Sequence, residues 1–124
     1  MLYVEAKAIH SLKGKRIVPQ IHHVGEWTAE DGEGFYILVM DRLGENLEQL
    51  FNKSDRKFTL ETVLGIAERF LEIFEKVHEK GLLNRDIKPD NFVIGHNWNK
   101  RNTIYQIDFG LAMYYLQDGK HIPF

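Results

Sequence analysis

The sequence predicts an α+β fold, and two stretches of the chain carry most of that prediction. Residues 59–80 show the clearest helical periodicity, with large apolar side chains three or four positions apart. Residues 20–27 and 35–41 are strand patterns joined by a short turn that contains two glycines. A long amphipathic helix and a β-hairpin in one short chain indicate a domain that mixes helices with a small antiparallel sheet.

The first predicted elements are a helix and the hairpin that follows it. Apolar residues at three-four spacing predict a helix over residues 2–13, and Gly14 is a natural residue just past its end. Gly32 and Gly34, between the two strand patterns, could be mistaken for a phosphate-binding loop. They lack a third glycine and open a strand instead of a helix, so a hairpin turn is the better interpretation. A second, short helix is predicted over residues 46–52.

The helix predicted over residues 59–80 has an apolar stripe wider than a surface helix needs. The stripe consists of Leu60, Val63, Leu64, Ala67, Phe70, Leu71, Phe74 and Val77, and Ile66 and Ile73 widen it. We therefore expect this helix to be buried against two neighbours and to end at Gly81.

The remainder of the chain is predicted to contain two more strands. Residues 92–95 and 103–107 are short strand patterns on either side of a polar turn. Residues 111–124 have no clear period, which predicts a loop.

Composition limits the classes of function. The chain has 124 residues, which suffice for one domain, and a net charge of −2, so bulk charge favours neither nucleic acid nor an anionic membrane as a partner. It has no cysteine, and its longest apolar run, residues 35–40, is too short to cross a bilayer. These features predict an intracellular protein without a membrane span. The six histidines lack metal-binding spacing, so we expect them to be ordinary surface or packing residues.

Two polar stretches contain the residues that are candidates for catalysis and metal binding. Residues 81–92 contain Asp86, Lys88 and Asn91, and a second run places Asp108 before Phe-Gly. Phosphoryl transfer needs a carboxylate to accept the proton of the nucleophile, a cation near the moving phosphate, and oxygen ligands for Mg²⁺. The first run alone could be an ordinary polar turn. The second run, directly after a strand pattern, makes that interpretation much weaker.

The whole chain resembles the middle of a eukaryotic protein kinase domain of the casein kinase 1 group. The matching runs are residues 38–44, 46–51, 57–64, 85–92, 108–112 and 121–124. The resemblance implies a partial bilobal kinase fold, with residues 1–41 as a remnant of the N-lobe and residues 42–124 as the start of the C-lobe. It also implies a truncated piece, inactive alone, because the glycine-rich loop and the phosphate-binding lysine are absent from the sequence.

The resemblance further implies a serine/threonine protein kinase that uses ATP and Mg²⁺ and acts on protein substrates. Asp86 would be the catalytic base, Lys88 would hold the γ-phosphate, and Asn91 and Asp108 would bind the metal ions. The remaining expected nucleotide-site residues are the gatekeeper Met40, the hinge residues Asp41 and Leu43, the floor residues Val93 and Ile107, and the helix glutamate Glu5.

One departure from the family pattern keeps alternatives open. Asn84 stands where the family has a histidine that packs on the phenylalanine of Asp-Phe-Gly, so Phe109 is expected to lose packing and the active arrangement to be weakened. A pseudokinase-like, non-catalytic binding piece is therefore a second hypothesis. A small-molecule phosphotransferase is a third, which Arg85, Lys88 and the Asp-Phe-Gly run disfavour.

Overall fold

The computed structural model describes residues 2–123 and confirms the predicted α+β fold. The helices are α1 (Leu2–Ser11), α2 (Leu47–Lys53) and α3 (Leu60–Glu79). The strands are β1 (Ile21–Thr28), β2 (Gly34–Met40), β3 (Leu43–Asn46), β4 (Leu82–Leu83), β5 (Phe92–Gly95), β6 (Ile104–Gln106), β7 (Met113–Tyr114), β8 (Leu116–Gln117) and β9 (Lys120–His121). Two single 3₁₀ turns lie at Pro89–Asn91 and Trp98–Lys100.

Local side-chain chemistry sets the ends of the helices. The Oδ1 atom of Asn46 accepts a hydrogen bond from the backbone N–H of Gln49 at 2.8 Å, and the Gln49 side chain accepts one from the Asn46 N–H at 2.9 Å. This reciprocal capping box starts α2. Thr59 caps α3 through the N–H of Thr62. Gly81, at a φ of 70°, lets the chain turn sharply after α3.

The strands form small antiparallel sheets instead of one continuous layer. β1 and β2 make the predicted hairpin, in which Trp27 pairs with Phe35 and Ile21 with Met40. β3, β5 and β6 form a three-stranded sheet in that order. A Cβ atom at Gly95 of β5 would lie 2.4 Å from the Cβ of Lys100, so the turn into β6 closes only over a glycine.

The core lies where α1, the turn after it, α3 and the β5–β6 sheet meet. Its fully buried apolar residues include Ile9, Leu12, Ile17, Ile73, Val77, Leu82, Phe92 and Phe109. The ring of Phe92 lies 4.1 Å from that of Phe70 on α3, centroid to centroid. This packing places the start of β5 against the residues after β6. The polar runs at 81–92 and 107–110 therefore lie close to each other.

The expectation that α3 is buried on two sides is wrong. Ile73 and Val77 are buried, whereas Leu60, Leu64 and Leu71 are 74%, 59% and 71% exposed. One side of the helix packs on the core. Among residues 2–123, no element covers the opposite side.

The prediction of a loop for residues 111–124 is also wrong for most of that stretch. β7 pairs with β4 through Leu82 opposite Tyr114, and β8 and β9 form a hairpin. Asp118 and Gly119 at its tip both have positive φ, 52° and 74°, as a type I′ turn requires. Phe124 lies outside the described residues.

Arg69 on α3 ties three parts of the fold together. Its Nε and Nη2 atoms donate to the carbonyl oxygen of Ile104 in β6, at 3.2 and 3.0 Å. Nη2 also donates to the carbonyl of Arg16, in the turn between α1 and β1, at 2.5 Å. Nη1 pairs with Glu72 at 2.5 Å. Only 17% of the Arg69 side chain is exposed, so its two bonds to Ile104 are partly shielded from water.

None of the helices formed by residues 2–123 is both long and apolar enough to pass through a membrane.

Candidate active site

The segment between β4 and β5 brings Asp86 and Asn91 together. Asn91 ends the 3₁₀ turn Pro89–Asn91 and is 5% exposed. Its Nδ2 atom donates to the backbone oxygen of Asp86 at 2.9 Å and to the Asp86 carboxylate oxygen Oδ2 at 3.1 Å. The two donors of the amide are thereby directed at Asp86. The amide oxygen of Asn91 remains available as a ligand.

Asp86 presents a half-buried carboxylate with one oxygen in use. Oδ2 accepts the hydrogen bond from Asn91, and within residues 2–123 no hydrogen bond reaches Oδ1. The Nζ atom of Lys88 lies 3.7 Å from Oδ2. The Lys88 side chain is 49% exposed, so this pair adds little stability and leaves the ammonium free to move towards an anion.

Asp108 follows β6 and is joined to the segment that carries Asn91. The backbone N–H of Ile107 donates to the carbonyl oxygen of Asn91 at 2.9 Å. Asp108 has a φ of 60°, in the left-handed region, and its Oδ1 atom accepts a hydrogen bond from the N–H of Gly110 at 3.2 Å. This local bond orients the carboxylate and leaves Oδ2 available as a ligand.

Asn84 links the two polar runs directly. Its Nδ2 atom donates to the carbonyl oxygen of Asp108 at 3.2 Å, and its Oδ1 atom accepts from the N–H of Asp86 at 2.8 Å. Asn84 is 4% exposed, so both bonds are protected from water. The packing loss expected at Phe109 is not seen, because that side chain is completely buried in the core.

Arg85 makes a further link that the sequence did not indicate. Its Nε atom donates to the carbonyl oxygen of Leu111 at 2.6 Å, and its φ is 67°. Arg85 directly precedes Asp86, the expected base, and it thereby anchors the chain at Leu111, the residue after Asp-Phe-Gly.

Glu5 of α1 lies near Asp108 and lines the same cavity. Burial, and then the nearby charge of Asp108, raise the pKa of the Glu5 carboxyl above its usual range. Hydrogen bonds from the backbone N–H groups of Phe109 and Asp108 partly oppose that rise. Within residues 2–123, no lysine or arginine forms an ion pair with Glu5.

A cavity of about 420 Å³ opens beside these residues. Most of the residues expected at a nucleotide site line it, namely Glu5, Met40, Asp41, Leu43, Val93, Ile107 and Asp108. Lys88 and Asn91 do not line it, although Asn91 adjoins Ile107. The sequence reasoning missed four further lining residues, which are Gly44, Asn46, Gln49 and Asp90. Gly44, directly after the hinge residue Leu43, and Asp90, directly before Asn91, were signalled by their positions, whereas Asn46 and Gln49 were not.

The oxygens available for a metal ion are few. Among residues 2–123, no group of three or more His, Cys, Asp or Glu side chains is placed to hold one. Asn91 and Asp108 offer two oxygen ligands, which suits Mg²⁺, an ion that takes one or two protein ligands and completes its shell with phosphates and water. The residues present therefore fit a magnesium–nucleotide complex.

The segment that bears Asp86 and a second carboxylate, Asp108, are held together beside a cavity of nucleotide size, an arrangement suited to phosphoryl transfer. The family model described as "Protein kinase domain" matches residues 1–122. The chain belongs to the protein kinase domain family.

Proposed function

We propose that this chain carries the catalytic centre of a serine/threonine protein kinase of the casein kinase 1 group. In this proposal residues 1–41 belong to the N-lobe and residues 42–124 to the C-lobe. The observation that carries the proposal is the hydrogen-bonded set formed by Asn91, Asp86 and Asn84 with the backbone of Asp108. A protein kinase needs its base and its metal-binding aspartate fixed relative to each other, and this set supports that role.

The reaction would transfer the γ-phosphoryl group of ATP to a Ser or Thr hydroxyl. The hydroxyl oxygen forms a bond to the γ-phosphorus, the bond from that phosphorus to the bridging oxygen breaks, and ADP leaves. Asp86 orients the hydroxyl and accepts its proton on the carboxylate, for which Oδ1 is available. Lys88, whose side chain is 49% exposed, neutralises charge on the phosphoryl group during transfer.

Nucleotide binding is assigned to the 420 Å³ cavity. Backbone groups of Asp41 and Leu43 would hold adenine below Met40, with Val93 and Ile107 as the apolar floor. Asn91 and Asp108 would hold Mg²⁺, which supplies positive charge that neutralises the phosphates when it is bound.

A second candidate function is non-catalytic binding, and Glu5 is the observation that favours it. In the proposed kinase a lysine would pair with this glutamate. Within residues 2–123, no cation pairs with Glu5, and its pKa is raised instead of lowered. A protein that kept this arrangement would hold partners or nucleotide without efficient transfer.

Phosphorylation of casein by the natural gene product that contains this chain tests the proposal. With radiolabelled ATP, label should appear on Ser or Thr after acid hydrolysis. Asp86→Asn should lower turnover by about 10²–10⁴-fold, because a positioned general base is lost. Unchanged turnover would show that Asp86 is not the base. Label on tyrosine would exclude the assigned specificity, and nucleotide binding without any label would favour the second candidate.

A further inference from the structure

A positively charged trough adjoins the hinge residues Asp41 and Leu43, which also line the candidate active-site cavity. It consists of two cavities, of about 450 and 160 Å³, that share Asp41 and Tyr105. The larger cavity lies between the end of α1 and β1, and the smaller lies between β3 and the β5–β6 turn. Neither is lined by Asp86, Asn91 or Asp108. We call the two together the basic trough.

The charge of the basic trough differs in sign from that of the chain. Its lining contains four permanent cations, which are Lys13, Arg16, Arg42 and Lys100. Asp41 is its one carboxylate. The net charge of the whole chain is −2, so these four cations form a local cluster on a protein that is not basic overall.

The single carboxylate of the trough is already engaged. Oδ1 of Asp41 lies 2.8 Å from Nε2 of His22, and this hydrogen bond is the main cause that lowers the pKa of Asp41. In contrast, the side chains of Lys13, Arg16 and Arg42 form no hydrogen bond or ion pair with any residue from 2 to 123. Lys13, Arg16 and Arg42 therefore have no partner among these residues, and the single carboxylate, on which Lys100 also acts, cannot neutralise all four cations.

Histidines add hydrogen-bond donors to the same surface. His10, His22 and His23 line the larger cavity, and His96 lines the smaller one. Imidazole N–H groups beside lysine and arginine suit carboxylate oxygens, which accept hydrogen bonds from several directions.

We propose that the basic trough is a docking site for an acidic peptide segment, rich in Asp and Glu, of a partner protein. Cations lie in both cavities, so a ligand that satisfies them must be elongated and carry several negative charges. An extended peptide meets that requirement, since its alternate side chains can reach successive cations. The proposal concerns binding alone and does not depend on phosphate transfer.

Single-stranded nucleic acid is the other elongated polyanion, and the trough suits it less well. Proteins that bind it combine a basic groove with several aromatic side chains on which bases stack. Tyr105 is the one Phe, Tyr or Trp side chain among the lining residues of the basic trough.

The test is fluorescence anisotropy with the natural gene product and a fluorescein-labelled peptide of alternating Glu and Gly. A peptide with Gln in place of each Glu is the ligand control. Lys13→Ala combined with Arg42→Ala removes one exposed cation from each cavity and should weaken binding by about tenfold at low salt. Lys57→Ala combined with Lys80→Ala is the matched control, because both lysines are exposed and lie outside the trough.

The expected result is binding of the Glu peptide and not the Gln peptide, lost in the trough variant and kept in the control variant. The charge-preserving change Lys13→Arg with Arg42→Lys should retain binding, which separates loss of charge from loss of folding. An equal loss in both alanine variants would overturn the proposal. Tighter, trough-dependent binding of a labelled oligothymidylate would overturn it too and reassign the surface to nucleic acid.

Discussion

The Asn84 side chain holds the backbone of Asp108, donating a hydrogen bond to its carbonyl oxygen at 3.2 Å. The same amide accepts a hydrogen bond from the Asp86 N–H at 2.8 Å. One buried side chain therefore links the backbone of the proposed base to that of the proposed metal-binding aspartate. The family histidine expected at this position is replaced by an amide that connects both loops, so we no longer expect it to weaken their alignment.

Replacing Asn84 with alanine should slow phosphate transfer. The change leaves a buried N–H and a buried carbonyl without partners, each of which costs about 1–3 kcal/mol. If part of that cost falls on the aligned state, turnover of the natural gene product should fall by about tenfold. Steady-state assays with ATP and casein measure this effect. Asn84→His is the comparison: since Phe109 is already fully buried, we expect it to bring no gain in turnover. A several-fold gain would show that packing at Phe109 is limiting after all.

The 124-residue chain by itself should transfer no measurable phosphate to casein. Glu5 has no cationic partner within residues 2–123, and nothing there replaces the lysine that would hold the ATP phosphates. A radiolabel assay with the purified chain checks this expectation. Robust, ATP-dependent labelling that disappears in Asp86→Asn would contradict it.

The stability of the same chain should depend on pH through Glu5. Because its pKa in the folded state is raised above the ordinary value of 4.5, the folded state binds the proton more tightly than the unfolded state. The favourable contribution of protonated Glu5 is complete below pH 4.5 and is lost as pH rises through the higher folded-state pKa.

Glu5→Gln removes this dependence, so it should stabilise the chain at pH 7 and lose that advantage at pH 4. Urea unfolding at both pH values measures the difference. Glu68→Gln, on the exposed surface of α3, is the matched control and should show no such change. An advantage for Glu5→Gln that is the same at both pH values would mean that Glu5 is not the titrating group.

Arg69→Met should destabilise the fold by about 1.5–3 kcal/mol, the range for hydrogen bonds made by a charged group. The change keeps most of the apolar stem but removes the donors that Ile104 and Arg16 use. Urea unfolding measures the loss. Lys57→Met, at an exposed position, should leave the midpoint nearly unchanged. Equal midpoints for the two variants would show that Arg69 does not hold these segments together.

Local chemistry explains why much of the fold was predictable. The helices at Leu47–Lys53 and Leu60–Glu79 begin within one residue of their predicted starts, because Asn46 and Thr59 cap them from adjacent positions. The hairpin, β5 and β6 were predicted for similar reasons, since alternation and turn residues act over a few positions.

The hairpin of β8 and β9 could have been found from the sequence. Asp118-Gly119 is a strong two-residue turn signal, but the flanking strands have only two residues each, too few to show alternation. The two-residue β4–β7 ladder offered no such signal.

Contacts between distant segments explain what sequence reasoning missed at the site. The bond from Arg85 to Leu111 and those from Arg69 to Arg16 and Ile104 join residues 26 to 53 positions apart. Their polar partners are backbone carbonyls, which every residue has, so no side-chain pattern marks them. The roles expected of Asp86, Lys88, Asn91 and Asp108 stay predictions until the assays above are made.

The uncovered side of α3 has a practical consequence for work with the purified chain. Leu60, Leu64 and Leu71 present large apolar surfaces to water, and two copies of such a surface can cover each other. Self-association of this kind adds a stabilisation that depends on concentration. Melting temperatures of this chain should therefore be compared only at equal protein concentration, and dilution is the simplest way to separate the stability of one molecule from that of a pair.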